Sequence, residues 1–309
     1  MHRIWMAAAL LGAAAVLSSC DDFEGFDRAR QDFHYSYAMQ PGGRLEIDNT
    51  NGSVEITGWD RNTIDVSGTK YAPSDNELQD VRIKVDVNGS TASVRTESPK
   101  NFFHGSFGAR YVIRVPRQTM LDRAETTNGS VSAEDLQGGG EIHSTNGRIS
   151  LARDNGNYNV HTTNGTIELE EVTGAERAET TNGSIRGRLK AGAIDANSTN
   201  GSIDFTVEKP QDGNSIHVKT TNGGVTLALA EFHSNPITAE TTHGAVTLRL
   251  PGDANAQIDA HTSFARITSD LPFSSTGEMS KHDLDAKLGS GGPQISVHTT
   301  TGGIRIEKY

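Results

Sequence analysis

From about residue 41 onward, apolar and polar residues alternate with a period of two, interrupted at regular intervals by glycine. Ile142, Val160, Ala178, Ala196, Val218, Ala239, Ala260 and Val297 stand five positions before the glycine or its equivalent. Thr or Ser stands three before it. Val131, Ile149, Ile167, Ile185, Ile203, Val225, Val246, Ile267 and Ile304 stand two after it. Leu151, Leu169, Phe205, Leu227, Leu248 and Ile306 stand four after it. Residues two apart on a strand share a face, so these positions line an interior. The positions between them are mostly polar and face water.

The alternation belongs to an internal repeat, Thr/Ser-Thr-Asn-Gly-x-Ile/Val. Its turn pairs are Asn51-Gly52, Asn128-Gly129, Asn146-Gly147, Asn164-Gly165, Asn182-Gly183, Asn200-Gly201 and Asn222-Gly223. Degenerate copies run over residues 241–246, 262–267 and 299–304. From Gly129 to Gly201 the glycines recur every 18 residues, and the next steps are 22 and 21. The Asn-Gly pair is expected to supply the positive φ of a sharp reversal.

Asn-Gly between alternating strands fits a meander of antiparallel hairpins. It also fits a β-solenoid in which each repeat is one coil. Three after the glycine, successive repeats carry Glu168, Arg186 and Asp204, and five after it Glu170 and Arg188. Stacked in register, these residues form ladders of alternating charge, and the Thr-Thr-Asn rows bond along the stack. Both features favour the solenoid. The expected fold is all-β, a parallel β-solenoid with about 18–22 residues per coil. The single domain spans 41–309, with irregular N-terminal coils at 41–123, regular repeats at 124–270 and an interrupted C-terminal coil at 271–309. Residues Pro99–Gly108 read as a loop. The last coil, ending at Tyr309, is expected to need a cap, because an open end exposes unpaired backbone.

The first 40 residues differ. A short basic start, His2 and Arg3, precedes an apolar run from Ile4 to Leu17. That length suits a signal-peptide core rather than a membrane span. Leu17-Ser18-Ser19-Cys20 resembles the bacterial lipoprotein signature, which implies cleavage after residue 19 and acylation of Cys20. Cys20 is also the only cysteine, and lipid would consume a thiol that is otherwise exposed to oxidation. Residues 1–19 are thus read as the signal and 20–40 as the lipidated N-terminus and a polar tether. Two or three acyl chains anchor a protein stably. The partner expected first is therefore the membrane, and the location is the cell envelope, facing periplasm or exterior.

Composition agrees with a thin core. Only 34% of residues are hydrophobic and 6% aromatic, too few for a deep aromatic-rich core. The formal charge is -11, and removing Arg3 with the signal leaves the remainder more acidic. Nucleic acid is excluded as a partner on that ground, since phosphate binding needs a basic stripe.

Residues 42–60 (GGRLEIDNTNGSVEITGWD), Arg110–Pro116 (RYVIRVP) and the Thr-Asn-Gly-Ser-Val rows are similar to the putative-adhesin β-strand-repeat domain of unknown function, common in bacterial envelope proteins. The resemblance covers roughly 33–309. It implies a β-helix-like fold and no known catalysis.

His143, His161, His261 and His298 stand four before the glycine on the outward face. His143 and His161 would be neighbours, yet the following rows carry Glu179, Asn197, Lys219 and Glu240, an ordinary solvated row. No closed set of metal ligands accompanies them, so no metal or cofactor is expected. Outward threonines two before the glycine would form a flat hydroxyl array. The chain lacks a nucleophile elbow, a phosphate loop and a zinc-protease helix. The reading is a non-enzymatic adhesin-like scaffold or binding surface for glycan, peptidoglycan or protein. A polysaccharide lyase or glycosidase on a β-helix is one alternative, and would need paired carboxylates in a groove. An envelope-stress signalling partner is the other.

Overall fold

The computed structural model describes residues 29–98 and 107–309. Among these the chain is all-β, with 25 strands joined in one sheet network and a single short helix, Asp75–Asp80. Ser74 caps that helix by accepting from the Glu77 N–H, and the chain turns extended at Val81.

Equivalent strands of successive repeats are parallel neighbours, not hairpin partners. Ahead of the Asn-Gly turn, Gly140–Asn146 pairs with Tyr158–Asn164, placing Ile142 opposite Val160 and Asn146 opposite Asn164. Beyond the turn, Ile149–Ala152 pairs with Ile167–Asn182, placing Ile149 opposite Ile167. Two parallel ladders thus rise side by side, one on each flank of the turn. The inward rows read from the pattern are buried almost without exception, and they form one hydrophobic cluster running from Met39 to Ile306. Ile267, in an outermost repeat, is half-buried. Gly187 replaces the usual apolar residue between Leu169 and Phe205, and Phe205 is the largest side chain of that row.

The buried Thr and Ser of each repeat answer the backbone of the repeat below. Ser144, Thr162, Thr180 and Ser198 each donate a hydroxyl to the carbonyl oxygen of the preceding turn glycine, at 2.9–3.0 Å. A buried acceptor without a partner costs about 1–3 kcal/mol, so each bond keeps a stacked turn from becoming a liability. The turn asparagines form a second ladder. Each Nδ2 donates to the Oδ1 one repeat below, from Asn128 on Asn51 (2.7 Å) to Asn222 on Asn200 (2.8 Å).

The expectation of positive φ at the turns holds at Gly52 but not at glycines 129, 147, 165, 183, 201 and 223. These are glycine for another reason. A Cβ there would run into the carbonyl group of the preceding turn glycine. Parallel strands lie about 4.8 Å apart, and the turn leaves no room for a methyl group.

The ends depart from a simple stack. The tether expected over 20–40 is shorter, because Ala29–Ala38 is a strand antiparallel to Thr63–Ala72. Phe33 and Tyr35 alternate toward the core, and the Phe33 ring meets Tyr111 at 5.5 Å. Residues 60–123 are not simply further coils of the same kind. Thr91–Glu97 and Gly108–Pro116 stack parallel on Arg44–Asn51 and Val54–Trp59. Thr63–Ala72 and Arg82–Asn88 instead run antiparallel over them as covers. The loop expected at 99–108 lies mostly outside the described residues, as does the segment with Cys20.

The C-terminal repeat is not the last layer. Gln294–Thr299 lies between Ile237–His243 and Ala256–Thr262, and Ile304–Lys308 lies between Val246–Leu250 and Ile267–Ser269. The expectation that the coil ending at Tyr309 needs a cap is therefore corrected. The outermost repeat is 256–269, and Asp283–Leu288 closes its first strand in antiparallel pairing.

Candidate functional site

The first ladder turns its outer side to water, and the chemistry of the chain gathers there. Stacking places the residue four before each turn in one continuous row. Glu125, His143, His161, Glu179, Asn197, Lys219, Glu240, His298 and His261 follow one another from strand to strand, and Asp283 of the antiparallel covering strand ends the row. His143 and His161 are neighbours as the spacing predicts, their rings stacked at 4.9 Å and 9°. His261 and His298 also become neighbours, which spacing alone hides, because the C-terminal repeat is inserted out of chain order.

Carboxylates flank both histidine pairs. Glu179 lies 3.7 Å from His161 Nδ1, and Asp283 accepts from His261 Nδ1 at 2.6 Å. The hydrogen bonds from His261 and Ser280 hold the Asp283 carboxyl below its usual value. Lys219 Nζ sits 2.9 Å from Glu240 and lowers that carboxyl in the same way. Among the described residues no three His, Cys, Asp or Glu side chains are arranged to hold a metal ion.

Beside this row run the threonines two before each turn, with Thr181, Thr199, Thr221, Thr242 and Thr300 exposed. Between the two rows the surface dips. One depression of about 260 Å³ is lined by His161, Glu179, Asn197, Lys219 and the threonines from Thr180 to Thr221. A second, of about 220 Å³, is lined by Lys219, Glu240, His261, His298 and the threonines from Thr220 to Thr300. They share Lys219 and Thr221, and so form one shallow trough along the stack. One wall offers hydroxyls, and the other offers imidazoles, carboxylates and an ammonium.

The other ladder carries charge as read from its pattern. Arg186 Nε donates to Glu168 at 3.1 Å, but Arg188 turns to Glu208 (2.6 Å) rather than Glu170. Exposed pairs of this kind contribute little to stability. The predicted turn residues Asn51-Gly52 through Asn222-Gly223 align at the edge of the trough face. Their visible role is the stacking described above.

These features define a class: a repetitive all-β protein whose polar chemistry is spread along a face. The family comparison agrees. Residues 43–307 match the family described as Toastrack DUF4097, and the chain belongs to that family. The family match bears out the resemblance to a repeat domain of unknown function. Among solved structures, the chain is similar to one described as a putative adhesin from Parabacteroides merdae ATCC 43184. That likeness has 10% identity and a TM-score of 0.47, and covers 90% of this chain and 96% of the other. A putative adhesin from Parabacteroides distasonis ATCC 8503 is similar at 9% identity and a TM-score of 0.44, covering 90% and 97%. A structure from the same strain described as a putative lipid binding protein gives 12% and 0.34, covering 90% and 96%. No curated protein matches the chain.

Proposed function

We propose that the chain is a non-enzymatic β-solenoid, close to a parallel β-helix, held at the cell envelope by lipid on Cys20, and that its trough binds an extended polar polymer. Peptidoglycan is the polymer of choice, because it offers hydroxyls to the threonine wall and both amines and carboxylates to the other. The observation that carries this reading is the continuity of the trough from His161 to Thr300. A small-molecule site is usually an enclosed apolar pocket with few polar groups, unlike this open polar strip. Adhesin-like names among similar structures are in keeping with a binding scaffold.

The full chain in detergent is expected to sediment with purified peptidoglycan sacculi. Lys219→Ala combined with Thr221→Val, at the point shared by both depressions, is expected to weaken binding by about tenfold, or about 1.4 kcal/mol. Undiminished binding by this variant would remove the trough from the proposal. Anchoring is tested separately. Cys20→Ser is expected to move the protein from the membrane fraction to the soluble fraction and to abolish labelling by radioactive palmitate. Wild-type fractionation by the variant would sink the lipid anchor.

A further inference from the structure

Three polar side chains lie inside the stack, on the flank away from the Asn-Gly turns. Asp154, Tyr158 and Glu176 are 1%, 2% and 3% exposed. Glu176 stands one 18-residue step after Tyr158. One step before and after Asp154 stand Leu136 and Val172, and Ile194 lies opposite Glu176, all of them buried. The chamber wall is therefore apolar.

Each carboxyl group is half satisfied. Asp154 Oδ1 accepts from the Leu136 N–H at 2.7 Å, and Glu176 Oε2 accepts from the Tyr158 N–H at 3.2 Å. Asp154 Oδ2 and Glu176 Oε1 are buried without a hydrogen bond of ordinary geometry, while the backbone N–H groups of Ala152 and Gly139 lie near the Asp154 carboxyl and the Tyr158 hydroxyl. Gly174 packs against this corner, where a Cβ would strike the Gly156 carbonyl and come within 3.1 Å of Glu176 Oε1. Charged groups nearby are few. Asp135 and Arg153, of opposite sign, act on Asp154 from the adjoining corner. Glu176 feels Asp154, and it lies at the floor of a surface depression that Arg177, Asp195 and His217 also line. Neither carboxyl has an ion-pair partner among the described residues. Two carboxylates in an apolar corner, with the half-exposed Arg153 nearby but no ion pair, resist joint ionisation.

We propose that Asp154 and Glu176, beside the buried Tyr158 hydroxyl, form an internal proton latch, which keeps its protons in the closed stack and loosens this corner when it loses them. Burial pushes Asp154 up to about 6 and Glu176 up to about 8. In the unfolded chain both acids ionise near 4. Across the window from about 4 to about 8 the folded chain therefore holds more protons than the unfolded one. Stability contributed by the latch is full at the acid end of that window and falls as pH rises through it. This inference does not depend on what the trough binds.

The test compares thermal midpoints of the full chain at about pH 5.5 and pH 8.5. The wild type is expected to lose about 5 °C or more over that interval. Glu176→Gln keeps the shape without the charge and is expected to lose less than half as much. Glu170→Gln, at an exposed site, should retain the wild-type drop. Infrared spectra near pH 6.5 should show the carbonyl band of a protonated carboxyl, much weaker in Glu176→Gln, where only Asp154 remains to supply it. An equal drop in both variants, or no such band in the wild type, overturns the latch. So does a midpoint raised by calcium chloride in the wild type alone, which would mark a cation site instead.

Discussion

Gly223→Ala is expected to destabilise the protein by about 3 kcal/mol, while Gly224→Ala, one residue along, costs under about 1 kcal/mol. The two glycines share a turn and differ in what lies beneath them. A Cβ on Gly223 would land on the Gly201 carbonyl of the repeat below, whereas the nearest atom to a Cβ on Gly224 is the Ala245 oxygen at 3.3 Å. The first clash is with backbone, and backbone moves only if the repeats separate. Separation would also lengthen the Thr220 bond to the Gly201 carbonyl and the Asn222 bond to Asn200, both now 2.8 Å. Neither glycine has a positive φ, so backbone strain does not confuse the comparison. Urea midpoints of the two variants measure the contrast. Similar midpoints would mean that the turns are not packed against one another.

Removal of residues 293–309 should unseat far more than one repeat. In a linear array, loss of the terminal unit removes a single interface. Here the C-terminal repeat lies between two others. Among the described residues Ala256–Thr262 pairs with Asp283–Leu288 on one side and Gln294–Thr299 on the other. Ile267–Ser269 has Ile304–Lys308 as its one ladder partner among the described residues, besides a single bond from the Ile267 N–H to the Lys281 carbonyl. The truncated chain is therefore expected to release 256–288 from the stack, giving rapid proteolysis just beyond Pro251 and a loss of strand signal in circular dichroism. The same cut leaves Val246–Leu250 with Val225–Leu229 as its remaining partner. Survival of a protected 256–288 segment would contradict the inserted order.

Much of the stack can be read in the residues themselves. A period of two assigns Val160 or Leu169 to the inside, and a constant 18-residue step forces equivalents to meet. The histidine neighbours at 143 and 161 follow from the same arithmetic. The layer order at the ends does not. Val297 and Ala260 occupy equivalent positions in the pattern, and nothing local says which lies against Ala239. Pairing partners of the covering strands are equally silent, since antiparallel and parallel strands share one alternation. The purpose of the turn glycines was hidden for a related reason. Asn-Gly is a strong signal for positive φ, yet at these turns the deciding atom belongs to a different repeat. Asp154 and Glu176 were missed because a lone acid beside Asn155-Gly156, or between Ala175 and Arg177, reads as surface, and only the packed corner shows both enclosed.

One consequence follows from the equal spacing of the middle repeats. Every layer from Gly129 to Gly201 has the same contour length and presents the same amide, hydroxyl and glycine to the layers above and below it. Height is thus quantised, at about 4.8 Å for each segment of 18 residues. A molecule built this way is a ruler whose graduations can be added or removed whole, while the unequal segments at either end serve as its stops.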